Sequence, residues 1–269
     1  MRSKKVAIFL ILQPVLFCLM IDCTKPATNY LPANNDTTIN NGDTINTDTT
    51  MTDTTAYIDS TTNMDTTKTS EFTWLALGDS YTIGESVNED ERFPAQTVAL
   101  LKNENLFVTP PQYIATTGWT TLDLLNAIAS QKPQGPFDIV TLLIGVNDQY
   151  QHFDTGGYRV HFNECLANAI ALAGNKPDRV FVLSIPDYSV TPFAANSDIT
   201  EIRKEIDEFN GINKGVTLSL NISYTDITPF TREVKTDASL IAPDGLHPSG
   251  KEYAKWAAVL APEIEKVLR

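Results

Sequence analysis

The stretch Phe72-Thr73-Trp74-Leu75-Ala76-Leu77-Gly78-Asp79-Ser80-Tyr81-Thr82 is an apolar run that ends abruptly in a Gly-Asp-Ser turn. Strand-forming residues that give way to glycine and a helix-capping aspartate predict a buried strand over Phe72 to Leu77 that feeds a turn into helix. The same pattern recurs downstream. Gln112 to Ala115, Ile139 to Ile144, Val180 to Ile185 and Ile222 to Thr225 read as strands, each bounded by Gly, Pro, Asn or Asp. Helical periodicity fills the gaps at Pro94 to Lys102, Leu122 to Ser130, Tyr158 to Ala173 and Ile199 to Leu218. A last helix is expected from Ser249 to Leu268, opened by a capping box in which Ser249 is followed three residues later by Glu252. Strand alternating with helix five times predicts an α/β fold, a three-layer α/β/α sandwich around a five-stranded parallel sheet. In such sheets ligands bind beyond the carboxyl ends of the strands, where Ser80 and Asn147 both fall.

The chain around this pattern is not uniform. Arg2, Lys4 and Lys5 precede an apolar run from Val6 to Ile21 that only Gln13 and Pro14 interrupt. A charged start and a short apolar stretch are the marks of a signal for export, so residues 1–22 are read as a signal peptide. Leu19-Met20-Ile21-Asp22-Cys23 resembles the end of a bacterial lipoprotein signal, which implies lipidation at Cys23, although Asp22 stands where a small residue is usual. Residues 23–70 are dominated by Thr, Asn and Asp, with repeated units such as Asp36-Thr37-Thr38, Asp48-Thr49-Thr50 and Asp53-Thr54-Thr55. So few apolar groups cannot offset the entropy of ordering, and this segment is expected to be a disordered tether. Residues 71–269 remain as the folded domain, roughly 200 residues, enough for one substantial core. The expected location is outside the cell, as an envelope lipoprotein or else secreted, with the membrane met only through the N-terminal anchor.

Acidic residues number 33 against 20 basic ones, for a formal net charge of -13. That balance excludes nucleic acid as a partner, because phosphate binding needs clustered Lys and Arg. Of three cysteines only Cys165 lies in the folded part, so no disulfide framework is expected, and its apolar surroundings make it a buried small hydrophobe. His152 and His161 flank a Gly-Gly pair without metal-ligand spacing, and neither a metal nor another cofactor is implied.

Asp244-Gly245-Leu246-His247-Pro248-Ser249 supplies an aspartate three residues before a histidine, with Ser80 far upstream. A serine hydroxyl needs a base to take its proton before it can attack an ester, and a neutral imidazole oriented by a carboxylate is such a base. Activity is therefore expected to fall on the acid side as the imidazole protonates. The α/β-hydrolase elbow Gly-x-Ser-x-Gly is absent, which points to a different serine hydrolase.

Gly78-Asp79-Ser80-Tyr81-Thr82, Gly118, Gly145-Val146-Asn147-Asp148 and Asp244-Gly245-Leu246-His247-Pro248-Ser249 occur in this order from Phe72 to the last helix. Together they resemble the SGNH hydrolases, also called the GDSL esterase and lipase family, with Tyr81 in place of the family's Leu. The resemblance implies the flavodoxin-like SGNH fold. It also implies Ser80 as nucleophile, His247 as general base, Asp244 as the orienting carboxylate, and an oxyanion hole from Ser80, Gly118 and Asn147. Gly118 is the only glycine between Gly84 and Gly135. The implied activity is cofactor-free hydrolysis of acyl or acetyl esters of small molecules, carbohydrates or lipids through an acyl-enzyme, by a monomer. Two other readings are kept: an acyltransferase that uses the same residues, and a catalytically idle binding or adhesion protein on the same scaffold. A paired-carboxylate site from Asp148 and Asp187 is the weaker alternative, and Asp148 is read instead as shaping the loop that presents Asn147. Trp119 and the segment Tyr188 to Phe193 are placed either to line the pocket or to pack loops onto the core.

Overall fold

The computed structural model describes residues 71–269, and the signal, lipidation and tether expectations lie outside them. Trp74-Leu75-Ala76-Leu77-Gly78 forms β1, buried at every position, as a strand covered by helices on both faces must be. It is followed by α1 (Ser80–Ile83), α2 (Phe93–Asn103), β2 (Gln112–Ala115), α3 (Thr121–Gln131), β3 (Ile139–Leu143) and α4 (Val146–Tyr150). Then come α5 (Thr155–Leu172), β4 (Val180–Leu183), α6 (Ile199–Ser219), β5 (Ser223–Thr225), α7 (Thr228–Thr231) and α8 (Gly250–Leu268). The strands make one parallel sheet in the order β2-β1-β3-β4-β5. Helices α2 and α8 pair with each other, and α5 packs between α3 and α6, which gives the α/β/α layering expected from the alternation.

Most expected elements are present with ends shifted by a residue or two. Phe72 lies outside β1 and forms an isolated parallel bridge with Val108. Helix α5 begins three residues before the expected Tyr158, because Asp154 caps it by accepting from the Gly157 N-H at 2.8 Å, which carries the helix through Gly156 and Gly157. The capping box on α8 is half formed. Ser249 Oγ accepts from the Glu252 N-H at 3.3 Å, but the buried Glu252 carboxylate turns inward to accept from Trp256 Nε1 at 3.0 Å.

The strand order reverses at β1 and β3. The chain leaves β1 for β2 on one side, then crosses to β3 on the other, opening a crevice between adjacent strand ends. Gly78 pairs with Leu143 across that junction. A Cβ on Gly78 would lie 2.1 Å from Thr82 Oγ1 and 2.4 Å from Leu143 O, so only glycine lets α1 start this close to β3. Asp79 then caps α1 by accepting from the Tyr81 N-H at 3.0 Å. Its other oxygen is buried without a partner, and burial pushes its carboxyl up to about 8, against the Tyr81 hydrogen bond.

Two outcomes follow from this turn. Gly78→Ala should cost at least about 2 kcal/mol, the scale of overpacking a close-packed interior; a melting temperature equal to that of the wild type would contradict the close approach. A folded-state carboxyl that titrates near 8 holds a proton that the unfolded chain has lost above the ordinary carboxylate range, so its contribution to stability falls as pH rises through that window. Asp79→Asn keeps a capping oxygen without the proton. Between pH 5 and 8 the urea midpoint of the wild type should therefore drop relative to that of the variant, whereas parallel midpoints would refute the buried neutral carboxyl.

Candidate active site

Ser80 is the first residue of α1, held at the mouth of the β1 turn and only 4% exposed. At this helix start its N-H has no intrahelical acceptor to reach. Asn147 follows β3 by way of Gly145, whose φ of +128° caps α4 and whose Cβ would fall 2.3 Å from the Tyr158 hydroxyl. Glycine is required there twice over, by backbone angle and by space. The Tyr158 hydroxyl of α5 also donates to Asn213 Oδ1 and lies 3.3 Å from Ile144 O, which fixes the turn from below. Asn147 Nδ2 donates to Trp119 O at 2.9 Å, so the side-chain amide lies against the turn that carries Gly118. Among the described residues the N-H groups of Ser80 and Gly118 have no protein acceptor, and neither has the second amide N-H of Asn147.

Asp148, the next residue, is fully buried and accepts from Thr121 N at 2.9 Å and Thr121 Oγ1 at 2.5 Å. Burial raises its pKa, with the two Thr121 hydrogen bonds opposing the shift. It ties α4 to the start of α3 and so holds Asn147 beside Trp119. Asp187 lies elsewhere, its side chain buried and paired with Arg232 at 2.8 Å and Arg203 at 3.4 Å. Neither aspartate lines the cavity at Ser80, so they do not form a carboxylate pair across a substrate.

His247 sits in the loop before α8, which folds back on itself through Ala242 N to His247 O at 2.8 Å. His247 Nδ1 lies 2.6 Å from Asp244 Oδ2, while Asp244 Oδ1 accepts from the N-H groups of Leu246 at 2.9 Å and His247 at 3.0 Å. Partial burial alone would raise the Asp244 carboxyl. Hydrogen bonds from Ser86, His247 and the two backbone N-H groups outweigh it and hold the carboxyl well below the usual carboxylate range. An ionised carboxylate on Nδ1 fixes the tautomer that leaves Nε2 free to accept a proton. The Tyr81 ring, centred 5.0 Å from the imidazole at 56°, backs it from the α1 side.

Ser80, Gly118, Asn147 and His247 line one cavity of about 140 Å³, with Thr117 at its edge. Its apolar walls are Val146, Leu246 and the rings of Tyr81, Tyr150, Tyr188 and Phe193. Tyr150, Tyr188 and Phe193 cluster with centroids 5.9 to 6.2 Å apart, and Phe193 N donates to Gly245 O at 3.0 Å, which joins this wall to the histidine loop. Of the segment Tyr188 to Phe193, then, the two terminal aromatics line the pocket, while Ser189 and Thr191 are buried behind them. The Trp119 side chain packs against the core, and this residue serves the site through its carbonyl. Tyr150 was not singled out from the sequence, although its place three residues after Asn147, on the same turn of helix, was a usable signal. Cys165 is buried as expected, with burial pushing its thiol up.

This cavity brings a hydroxyl, an imidazole oriented by a carboxylate, and three uncommitted N-H donors to the carboxyl ends of β1 and β3. Residues 76–255 match the GDSL-like Lipase/Acylhydrolase family. No curated protein sequence matches the chain. Among solved structures the chain is similar to the psychrotrophic esterase EstA from Pseudoalteromonas sp., at 16% identity and TM-score 0.55, covering 74% of this chain and 99% of that one. It is also similar to the lipase/acylhydrolase from Enterococcus faecalis, at 21% identity and TM-score 0.54, over 72% and 96% of the two chains. A third is a member of the lipolytic protein G-D-S-L family from Veillonella parvula, at 19% identity and TM-score 0.53, over 71% and 94%. At these identities the structural likeness speaks for the shared fold, and the family match carries the class of chemistry. The chain belongs to the GDSL-like lipase/acylhydrolase family and is a carboxylic ester hydrolase.

Proposed function

We propose that the protein hydrolyses esters of short acyl groups by double displacement, with Ser80 as nucleophile, His247 as general base and Asp244 as the carboxylate that orients it. The observation that carries this reading is the Asp244 to His247 Nδ1 contact at 2.6 Å beside a cavity that Ser80 also lines. Ser80 Oγ attacks the ester carbonyl while His247 Nε2 takes its proton. The carbonyl oxygen becomes an oxyanion, for which the N-H groups of Ser80 and Gly118 and the Asn147 amide are the donors. Collapse expels the alcohol, protonated by the imidazolium, and leaves an acyl group on Ser80. Water, deprotonated by His247, then releases the acid and restores the hydroxyl. Ser80 and His247 share the cavity without a hydrogen bond between them, and in unliganded sites such contacts tighten only when substrate binds.

The acyl chain is taken to be short because a cavity of about 140 Å³ is the size that holds a benzene ring, or about six carbons. We propose further that residues 1–22 direct export, that Cys23 is lipidated, that residues 23–70 tether residues 71–269 to the envelope, and that the enzyme works as a monomer. The support is the Arg2, Lys4 and Lys5 start, the apolar run before Cys23 and the Thr, Asn and Asp composition that follows.

The purified protein should turn over p-nitrophenyl acetate and butyrate faster than the decanoate. Ser80→Ala should abolish hydrolysis, and Asn147→Ala should lower kcat by about 100- to 1,000-fold. Retention of activity by Ser80→Ala would defeat the mechanism, and a preference for decanoate would defeat the short-chain assignment. In a bacterial host, labelled fatty acid should enter the wild type and not Cys23→Ser; equal labelling of both would exclude the anchor.

A further inference from the structure

The sequence blocks leave Gly84-Glu85-Ser86 without a role, yet these residues touch both halves of the site. Helix α1 ends at Gly84, and the chain turns away through Ser86, whose φ of +65° is the left-handed conformation that non-glycine residues seldom adopt. In that turn the Glu85 carboxylate accepts from Thr117 Oγ1 at 2.5 Å, next to Gly118. One residue on, Ser86 Oγ donates to Asp244 Oδ2 at 2.7 Å, the same oxygen that His247 Nδ1 contacts at 2.6 Å. Both oxygens of Asp244 are thereby engaged, Oδ1 by two backbone N-H groups and Oδ2 by the imidazole and the serine hydroxyl.

We infer that Ser86 is a positioning residue that acts on His247 through Asp244, held in place by the Glu85 to Thr117 contact. This inference rests on the triad reading above. A carboxylate with donors on both oxygens is fixed in rotation, which fixes the plane of the imidazole bonded to it. The hydroxyl also draws off part of the charge on Oδ2, so the carboxylate stabilises the imidazolium less than it would alone. Strained backbone at an exposed turn is consistent with a side chain held there for what it contacts.

Other charged and titratable groups surround the pair. The Tyr81 ring of α1 faces the imidazole, and burial first, then the charges of Asp79 and Asp244, push its phenol up; burial, then Tyr81 and the same two carboxylates, push up the Tyr253 phenol of α8. Asp187 and Tyr188 lie around Tyr81, and Arg92 lies by Tyr253. None of them is altered when the Ser86 hydroxyl is removed, so a change in the pH profile reports that hydroxyl.

Ser86→Gly is the informative variant, because glycine accepts the left-handed backbone without strain and the position is exposed. Its melting temperature should equal or exceed that of the wild type. On p-nitrophenyl acetate kcat should fall roughly three- to tenfold, the net worth of one ordinary hydrogen bond, with KM unchanged. The acid limb of kcat/KM should move to higher pH, since a more basic Asp244 favours the protonated imidazole. Wild type and Ser80→Ala are assayed alongside. If Ser80→Ala retains activity, the triad reading and this inference fall together. If activity depends on Ser80 but Ser86→Gly keeps the wild-type kcat, or loses kcat with the acid limb unmoved, the triad stands and the role of Ser86 is overturned.

Discussion

The close approach of three backbone segments at Gly78 is the constraint from which the site follows. β1 pairs with β3 up to Leu143, and α1 begins before the chain has cleared the sheet, so that a methyl group at Gly78 would collide with Thr82 and with the Leu143 carbonyl. That packing sets Ser80 at the rim of the β1 and β3 crevice while its N-H still points out of the helix start. A second glycine, Gly145, does the same for β3 and delivers Asn147 beside Trp119. The reversal of strand order then makes these two turns neighbours.

The same side chain serves four different ends here, according to the donors around it. Asp79 is buried with one N-H donor, and its carboxyl is pushed up to about 8. Asp148 has two donors from Thr121 and is raised even so, as a structural tie between α3 and α4. Asp187 pairs with Arg232 and Arg203 behind the Tyr188 wall. Asp244 is less buried and has four donors, and its carboxyl is driven down. Desolvation raises a carboxyl and hydrogen bonding to its charged form lowers it, and the balance between them separates Asp244 from Asp79 and Asp148.

The aromatic wall shows how loops are recruited to a site that strands have placed. Tyr150 comes from α4 and Tyr188 and Phe193 from the segment after β4; Tyr188 meets both other rings edge to face, and Tyr150 and Phe193 are tilted against each other. The Phe193 to Gly245 hydrogen bond couples that wall to the histidine loop. The shape of the cavity and the placement of His247 are therefore set by connected parts of the chain.

Period-two and period-3.6 patterns, with glycine, proline and capping residues between them, were enough to place the five strands and five long helices, because those patterns are local. The order Gly78 to Ser80, Gly118, Asn147, Asp244 to His247 was legible for the same reason: each block sits in its own turn. Contacts between turns were not. For Trp119 the sequence left pocket lining and loop packing open; its ring turns to the core and its carbonyl takes the Asn147 amide. Glu252 looked like half of a capping box, but tertiary burial drew its carboxylate to Trp256. Ser86 carried no mark at all, since its partner Asp244 lies 158 residues away. The sequence by itself determined the layered parallel fold and the chemical class of the site, through local propensity and motif. Only the tertiary structure decided which side chains line the cavity and what holds Asp244, because those depend on distances between segments that no local pattern encodes.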